Sequence, residues 1–423
     1  SVLAAEYDLS EGSVTVSTSK RADGSTRQDV SHKGSTKEDS NPTITSNGKT
    51  DNTITIKADA GTTANVTIKD TNIDSTGTGK AAIKTEGKGD VNLNVEGINT
   101  ATSDEGHAGV EKSNDGNLTI GSKSGSCELA ANGGDRGAGI GGGQGSDGTD
   151  ITIAGGKITA NGGVEASGIG GGSFGDGSSI TVSGGEVTAN GGNSGAGIGG
   201  GSCGNVNDIT ISGGDVRATG GTNGAGIGAG MFGYVDSDIT ISGDSQVEAT
   251  GGAGSADANF GAAIGRGGRG DGASGDEIEP DTSGLYTTGK VERTSGDGTV
   301  LDTITGTVEP PAKPASSEEE ADKREPLYRV LHLDGSSLKH QAEKADGILA
   351  LTAEADGAIL TGTLRALGYL QNQGVAKITF TDGIHSAELV LADLIARGEP
   401  EDVYILTLGS ENTLTLNGEA IDF

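Results

Sequence analysis

Between residues 137 and 268 short apolar triplets alternate with glycine clusters in a fixed order. Ile-Thr-Ile or a close equivalent opens at Ile151, Ile180, Ile209 and Ile239. A second set, KITANGG, EVTANGG, DVRATGG and QVEATGG, centres on Ile158, Val187, Val216 and Val247. A third, GAGIGGG and its variants, carries Ile140, Ile169, Ile198, Ile227 and Ile264 at steps of 29, 29, 29 and 37 residues. Within each triplet apolar and polar positions alternate, the period of a strand. The segments are too short and too rich in glycine for helices. Self-similarity at such a period marks a solenoid or array. Three strands per unit describe one rung of a parallel β-helix, and a blade of a propeller would need four antiparallel strands and a longer repeat. The expected fold is therefore all-β: a right-handed, single-stranded parallel β-helix with three short strands per rung, followed by a linker and a small α+β domain.

Stacking turns the sequence into columns. Ile151, Ile180, Ile209 and Ile239 form one inward column, Ile153, Val182, Ile211 and Ile241 a second, and the GAGIGGG isoleucines a third. Each buried Ile or Val is worth roughly 1.5–3 kcal/mol, enough to hold a narrow coil together. Asn132, Asn161 and Asn190, continued by Thr219 and Thr250, are placed to hydrogen-bond up the coil as a ladder, or serve as turn formers.

The same rhythm extends toward the N-terminus through Val66-Thr67-Ile68, Asn92 to Val95, Leu118-Thr119-Ile120 and Leu129-Ala130-Ala131. No proline occurs from Thr43 to Glu279, as a continuous ladder requires. Residues 1–60 are expected to cap the coil, with a mobile polar excursion over 20–40. The start Ser1-Val2-Leu3-Ala4-Ala5 has the small residues of a signal-peptide cleavage site, with processing near Ala4/Ala5. The coil should then occupy 61–308, with the regular repeats at 137–268, and Leu285-Tyr286 and Val300 to Val308 closing its top. Residues 309–326 carry four of the seven prolines and a run of acids, an exposed linker. In 327–423 leucine becomes common. Strands are expected at 328–331, 348–351 and 376–380, helices over 362–373 and 386–397, and a hairpin from Val403 to Leu416.

Charge narrows the partners. Asp and Glu number 60 against 29 Lys and Arg, a formal charge of −31, the wrong sign for nucleic acid. No run of 18 apolar residues exists to cross a membrane. Two cysteines, Cys127 and Cys203, lie three rungs apart, about 14 Å by the strand spacing, too far for a disulfide; two free thiols are expected.

Four sets of residues are candidates for function. Gly139, Gly168, Gly197 and Gly226 would point outward on the third sheet, leaving a bare shelf for another backbone, a glycan or a protein, unless they serve the tight corners of the coil. Phe174 and Phe232, with Cys203 between them at the same place in the repeat, form either a small apolar stack under a loop or an aromatic platform for sugar. Asp150, Asp208 and Asp238, just before the Ile-Thr-Ile strands, and Asp147, Asp176 and Asp236, in the loops leading in, are the oxygen-rich set that calcium takes; aspartate also simply favours turns. Arg266 and Arg269 make a cationic spot near the end of the coil. The histidines are scattered and show no metal-ligand spacing, and no nucleophile motif is present.

The runs AAEYDLSEGSVTV, NVTIKDTNID and HAGVEKSNDGNLTI, together with repeated GAGIGGG, ITISGG and VTANGG, resemble the glycine-rich repeat region of exported, adhesin-like surface proteins of Gram-positive gut bacteria. The likeness covers about residues 4–268. It implies secretion or cell-surface display, an anchor beyond Phe423 where there is one, and a host or matrix glycan or protein as partner. The rhythm of the early rungs is also similar to that of calcium-linked, polysaccharide-binding β-helices. Three functions are thus expected in order: a structural and adhesive module, a calcium-assisted binder of acidic polysaccharide, and a polysaccharide-degrading enzyme on the same scaffold.

Overall fold

A computed structural model describes residues 5–122, 126–254, 260–269, 273–310 and 327–422, the single positions 335, 337, 346, 354 and 356 excepted. The chain divides into two compact units, Ser1–Lys313 and Pro314–Phe423.

The first unit is a right-handed parallel β-solenoid of about ten turns. Three sheets run along it. Sheet A has nine strands, from Glu6–Asp8 to Ile239–Ile241; sheet B has eleven and contains the short Ile140–Gly141 type of strand; sheet C has ten and contains Lys157–Asn161 and its copies. In the repeats like meets like. Ile151, Ile180, Ile209 and Ile239 are in register, as are Ile140, Ile169, Ile198, Ile227 and Ile264. The latter column continues downward through Val110, Ile83 and Ile54 to Val14. All of these side chains are buried, so the core is a thin apolar rod rather than a broad interior.

Glycine sets the cross-section. Gly141, Gly170, Gly199, Gly228 and Gly265 have φ between +131° and +143°, a region open only to glycine. A Cβ on Gly170 would lie 2.0 Å from the carbonyl oxygen of Gly199 in the next coil. Sheet B is therefore only two residues wide in the repeats, and the two corners flanking it bond to each other: the Ser173, Ser202 and Met231 N–H groups donate to the Arg136, Glu165 and Ser194 carbonyls at 2.9, 2.7 and 2.8 Å.

The N-terminal end corrects the expectation of a mobile excursion over 20–40. Thr26–His32 runs antiparallel beside Val14–Lys20, and Ser35–Glu38 antiparallel beside Thr26–His32, extending sheet B by two strands. Val30 is buried, and Gln28 donates to the carbonyls of Asp39 and Asn65 while accepting from the Asn65 N–H. The segment is polar because its other face meets water, and a one-sided strand reads as a loop when only two inward positions mark it.

At the far end Lys290–Thr294, a strand the apolar pattern did not reveal, continues sheet C parallel to Gln246–Thr250. Val300–Thr305 then turns back antiparallel. Arg293 falls in the alanine column above Ala249.

In the second unit a four-stranded sheet holds His340–Ala345, Ile348–Ala353, Lys377–Thr381 and Ser386–Val390. A five-stranded sheet holds Arg329–Leu331, Ile359–Thr363, Val403–Thr407, Thr413–Leu416 and Glu419–Ile421. Helix α1, Leu364–Asn372, is capped by Thr363, whose Oγ1 accepts from the Ala366 N–H, and buries Leu364, Leu367 and Leu370. The helix expected over 386–397 is shorter. Residues 386–390 are strand, with Leu389 opposite Ile378 and Lys377 paired to Glu388 across the ladder. Helix α2 begins only at Leu391 and ends at Ile395. The linker expected at 309–326 and the cleavage site expected at Ala4 lie almost wholly outside the described residues.

Candidate ligand-binding surface

The glycine shelf is not there. Gly139, Gly168, Gly197 and Gly226 are buried. A Cβ on Gly139 would meet the Asn161 nitrogen and the Gly168 oxygen at 2.6 Å each, and the other three face the same crowding. Because sheet B is only two residues wide, these glycines sit inside the corner where sheet C turns into it. They permit coil-on-coil contact, the tight-corner alternative, and leave no bare surface.

The aspartates fall into a different register from the expected one. Asp150, Ser179 and Asp208 occupy a bulge with φ of +54°, +51° and +63°, a conformation that short polar side chains tolerate better than most. The next member is Ser237, whose Oγ accepts from the Asp208 N–H at 2.7 Å. Asp238 is an added residue just before Ile239, not a member of the column. Asp147 and Asp176 do stack. Asp147 Oδ1 accepts from the Asp176 N–H at 2.9 Å, Asp176 Oδ1 from the Asn205 N–H at 2.7 Å, and Asn205 Oδ1 from the Tyr234 N–H at 2.9 Å. Asp236 lies apart from this ladder, its N–H on the Val206 carbonyl. Among the described residues no group of three or more His, Cys, Asp or Glu is disposed to hold a metal ion.

Phe174, Cys203 and Phe232 stand at one corner in successive coils. Their N–H groups donate to Ser202, Met231 and Gly268 carbonyls one coil on, at 3.0, 2.7 and 3.1 Å. All three side chains are exposed, Phe174 at 62% and Phe232 at 43%. The apolar stack under a loop is thus replaced by an open strip. Tyr234, 56% exposed, stands two residues beyond Phe232, and the Arg266 guanidinium lies 4.0 Å from its ring centre. Arg266 and Arg269 both reach Asp276 at 3.4 Å, which compensates the expected cationic spot. The Tyr234–Arg266 contact joins residues 32 apart in sequence across the last coils, and only the register brings them together.

The amide column is a ladder. Asn132 Nδ2 donates to Thr102 Oγ1 at 3.1 Å, Asn161 Nδ2 to Asn132 Oδ1 at 2.8 Å, and Asn190 Nδ2 to Asn161 Oδ1 at 2.8 Å. Cys127 is buried, and both cysteines are free thiols. The strongest electrostatic arrangement lies at the coil's end. Arg293, 3% exposed, bonds Asp302, Glu279 and the Ile278 carbonyl. Its hydrogen bond holds the Asp302 carboxyl below the usual range. Burial pushes Glu277 upward even though it accepts from the Ala263 and Ile264 N–H groups at 2.7 and 3.2 Å. Burial shifts Lys112 the other way, downward, and its ammonium donates to the Asn114 carbonyl. In the second unit burial works to raise Asp382, but hydrogen bonds from the His385 N–H and ring, Ile384 and Gly357 outweigh it and hold the carboxyl low.

These features define a β-solenoid that displays Phe174 and Phe232 at a corner of its coils rather than in a cleft. Four of its segments, residues 151–173, 180–202, 209–231 and 239–265, match the family of proteins described as Beta helix repeat. No curated protein and no solved structure matches the chain. Among the described residues no helix is long and apolar enough to cross a membrane.

Proposed function

We propose that the chain is an extracellular structural and adhesive module, a stiff coil that displays repeated side chains to a glycan or protein of its surroundings. One observation carries this reading: the outer positions repeat in chemistry as well as in place. Thr119, Thr152, Thr181, Thr210 and Thr240 stand in register on sheet A, and the Phe174 to Phe232 strip follows the same pitch. A pattern recurring about every 4.8 Å along an axis suits a polymer or an extended surface better than a compact small molecule. The buried Arg293 pairs with Asp302 at the end of the coil, where the pair serves closure. The acidic balance suits a soluble exported surface.

The test is an array of glycans and matrix proteins probed with the full chain, with and without a chelator. Retention by at least one extended polymer that survives chelation is expected. Retention lost on chelation would replace this reading with the calcium-assisted one, and release of sugar products would replace it with an enzyme. Retention by nothing on the array would overturn it.

A further inference from the structure

Phe174 and Phe232 break a local rule with no structural return. Their φ angles are +65° and +67°, and that of Cys203 is +62°. The matching residue in the coil below is Gly145, at φ +71°, so the corner closes without any side chain. An aromatic residue there costs of order 1–2 kcal/mol of backbone strain. Burial does not offset that cost, because both rings face solvent. Strain retained without compensation marks a functional position.

The strip has a second component. Two residues along from Gly145, Phe174 and Cys203 run Asp147, Asp176 and Asn205. Each side chain is fixed by giving one oxygen to the N–H of the next coil. Their remaining polar atoms, Oδ2 of the two aspartates and Nδ2 of Asn205, have no protein partner among the described residues. A row of oriented polar groups, two acceptors and one donor, therefore runs beside the strip of Phe174, Cys203 and Phe232, and Tyr234 closes its upper end.

We propose that this strip binds an uncharged, extended β-linked polysaccharide of cellulose or chitin type, lying along the coil axis. The proposal rests on reading the chain as a display module and names the ligand of that display. Phe174 and Phe232 are two coils apart, about 10 Å by the strand spacing. One disaccharide of an extended β-linked chain has that length, and in such a chain alternate sugars present the same face. Both rings therefore meet the same C–H-rich sugar face, and the small Cys203 leaves room for the sugar between them. Sugar hydroxyls then donate to Asp147 and Asp176 and accept from Asn205 Nδ2. The two carboxylates, and Glu165 nearby on the adjoining corner, repel an acidic polymer.

The experiment uses the full chain on insoluble cellulose and chitin, with cello- and chito-hexaose titrated in solution and polygalacturonate with calcium as the contrasting probe. Phe174→Ala, Phe232→Ala and the double variant are compared with Thr188→Ala on sheet C. All three side chains are outward-facing, and circular dichroism confirms that each variant keeps its sheet signal. Retention on one of the neutral polymers is expected, weakened tenfold or more by either Phe substitution, abolished in the double variant and unchanged in Thr188→Ala. Equal retention of the double variant overturns the strip while leaving the display reading intact. Binding to polygalacturonate alone overturns the choice of a neutral ligand. Absence of retention on any of these polymers, where the wider array shows a different ligand, sinks this proposal alone; absence on both sinks the display reading with it.

Discussion

At the residue scale two side chains of similar polarity do opposite work. Asn161 sits half-buried in the middle of a ladder, accepting from Asn190 and donating to Asn132. Asp150 sits in a left-handed bulge and needs only to be short and polar. The first acts through its neighbours above and below, the second through its own backbone. Asn161→Ala removes two amide hydrogen bonds at once and leaves the groups of Asn132 and Asn190 to water. At about 1 kcal/mol each, the loss is roughly 1–2 kcal/mol. The urea midpoint of the coil, followed by circular dichroism, should fall accordingly. Thr219→Ala, at the same column but outside the amide bonds, should shift it by less than about 0.5 kcal/mol. Equal effects of the two substitutions would mean that the amides are turn formers only. The ladder was legible in the sequence because Asn132, Asn161 and Asn190 share one phase of the repeat. The open placement of Phe174 was not, because phase says which residues stack and not whether anything covers the stack.

At the element scale the strands were read where both periodicities agreed, and missed where one face was charged. Lys290–Thr294 carries Lys, Glu and Arg around a single valine, so no apolar alternation announced it; it is a strand because Gln246–Thr250 offers it a ladder. Ser386–Val390 is a strand for the same reason, although its composition suits a helix. The site residues suffered in parallel. An added residue before Ile239 moved Asp238 out of the aspartate column, a shift that only the observed pairing of Asp208 with Ser237 exposes. Neighbouring strands also set charge behaviour. The pair Lys49–Thr50 and Asn72–Asp74 bring Lys49 Nζ to 2.5 Å from Asp74 Oδ2, with Thr76 Oγ1 donating to Oδ1 at 2.6 Å. The lysine bond, then the threonine bond, hold Asp74 at about 2, below its ordinary 3.8. A carboxyl lowered on folding adds stability that is present above the ordinary value and is lost as pH falls through it toward the folded value. Asp74→Asn should therefore lower the melting temperature near neutrality and make no difference once both forms are protonated. The solvent-exposed lysine keeps the effect below about 1 kcal/mol. Melting curves of the two proteins from neutral pH down through the acid range would show the gap closing; a gap independent of pH would assign the effect to lost packing.

At the scale of the whole molecule the question is how a rod with open sheet edges stops. Unpaired edges invite other chains to add on, and the repeats themselves contain no stop. The closing device is electrostatic. Glu277 lends its two carboxylate oxygens to the Ala263 and Ile264 N–H groups, as another coil's backbone would. Arg293 takes the place of a core alanine and brings Asp302 and Glu279 over the end of the rod. Removing Arg293 deletes its charge-assisted hydrogen bonds while Asp302 and Glu279, 40% and 78% exposed, fall back on water, at a cost of about 1.5–3 kcal/mol. Arg293→Ala should accordingly unfasten the coil from this end. Amide hydrogen exchange is expected to rise first in Gln246–Thr250 and Ile264–Gly265 and to stay slow at Leu118–Gly121. Glu277 separates charge from geometry. Burial raises its pKa, so its contribution to stability is full below the ordinary carboxyl value and declines as pH rises through the folded one. Glu277→Gln keeps an acceptor without the charge and should match the native protein in acid and equal or exceed it near neutrality. Glu277→Ala keeps neither and should speed exchange at Ala263 and Ile264 at every pH. If the alanine variants of Arg293 and Glu277 instead raised exchange evenly along the rod, the coil would unfold as one cooperative body, and these residues would be ordinary contributors to it rather than its clasp.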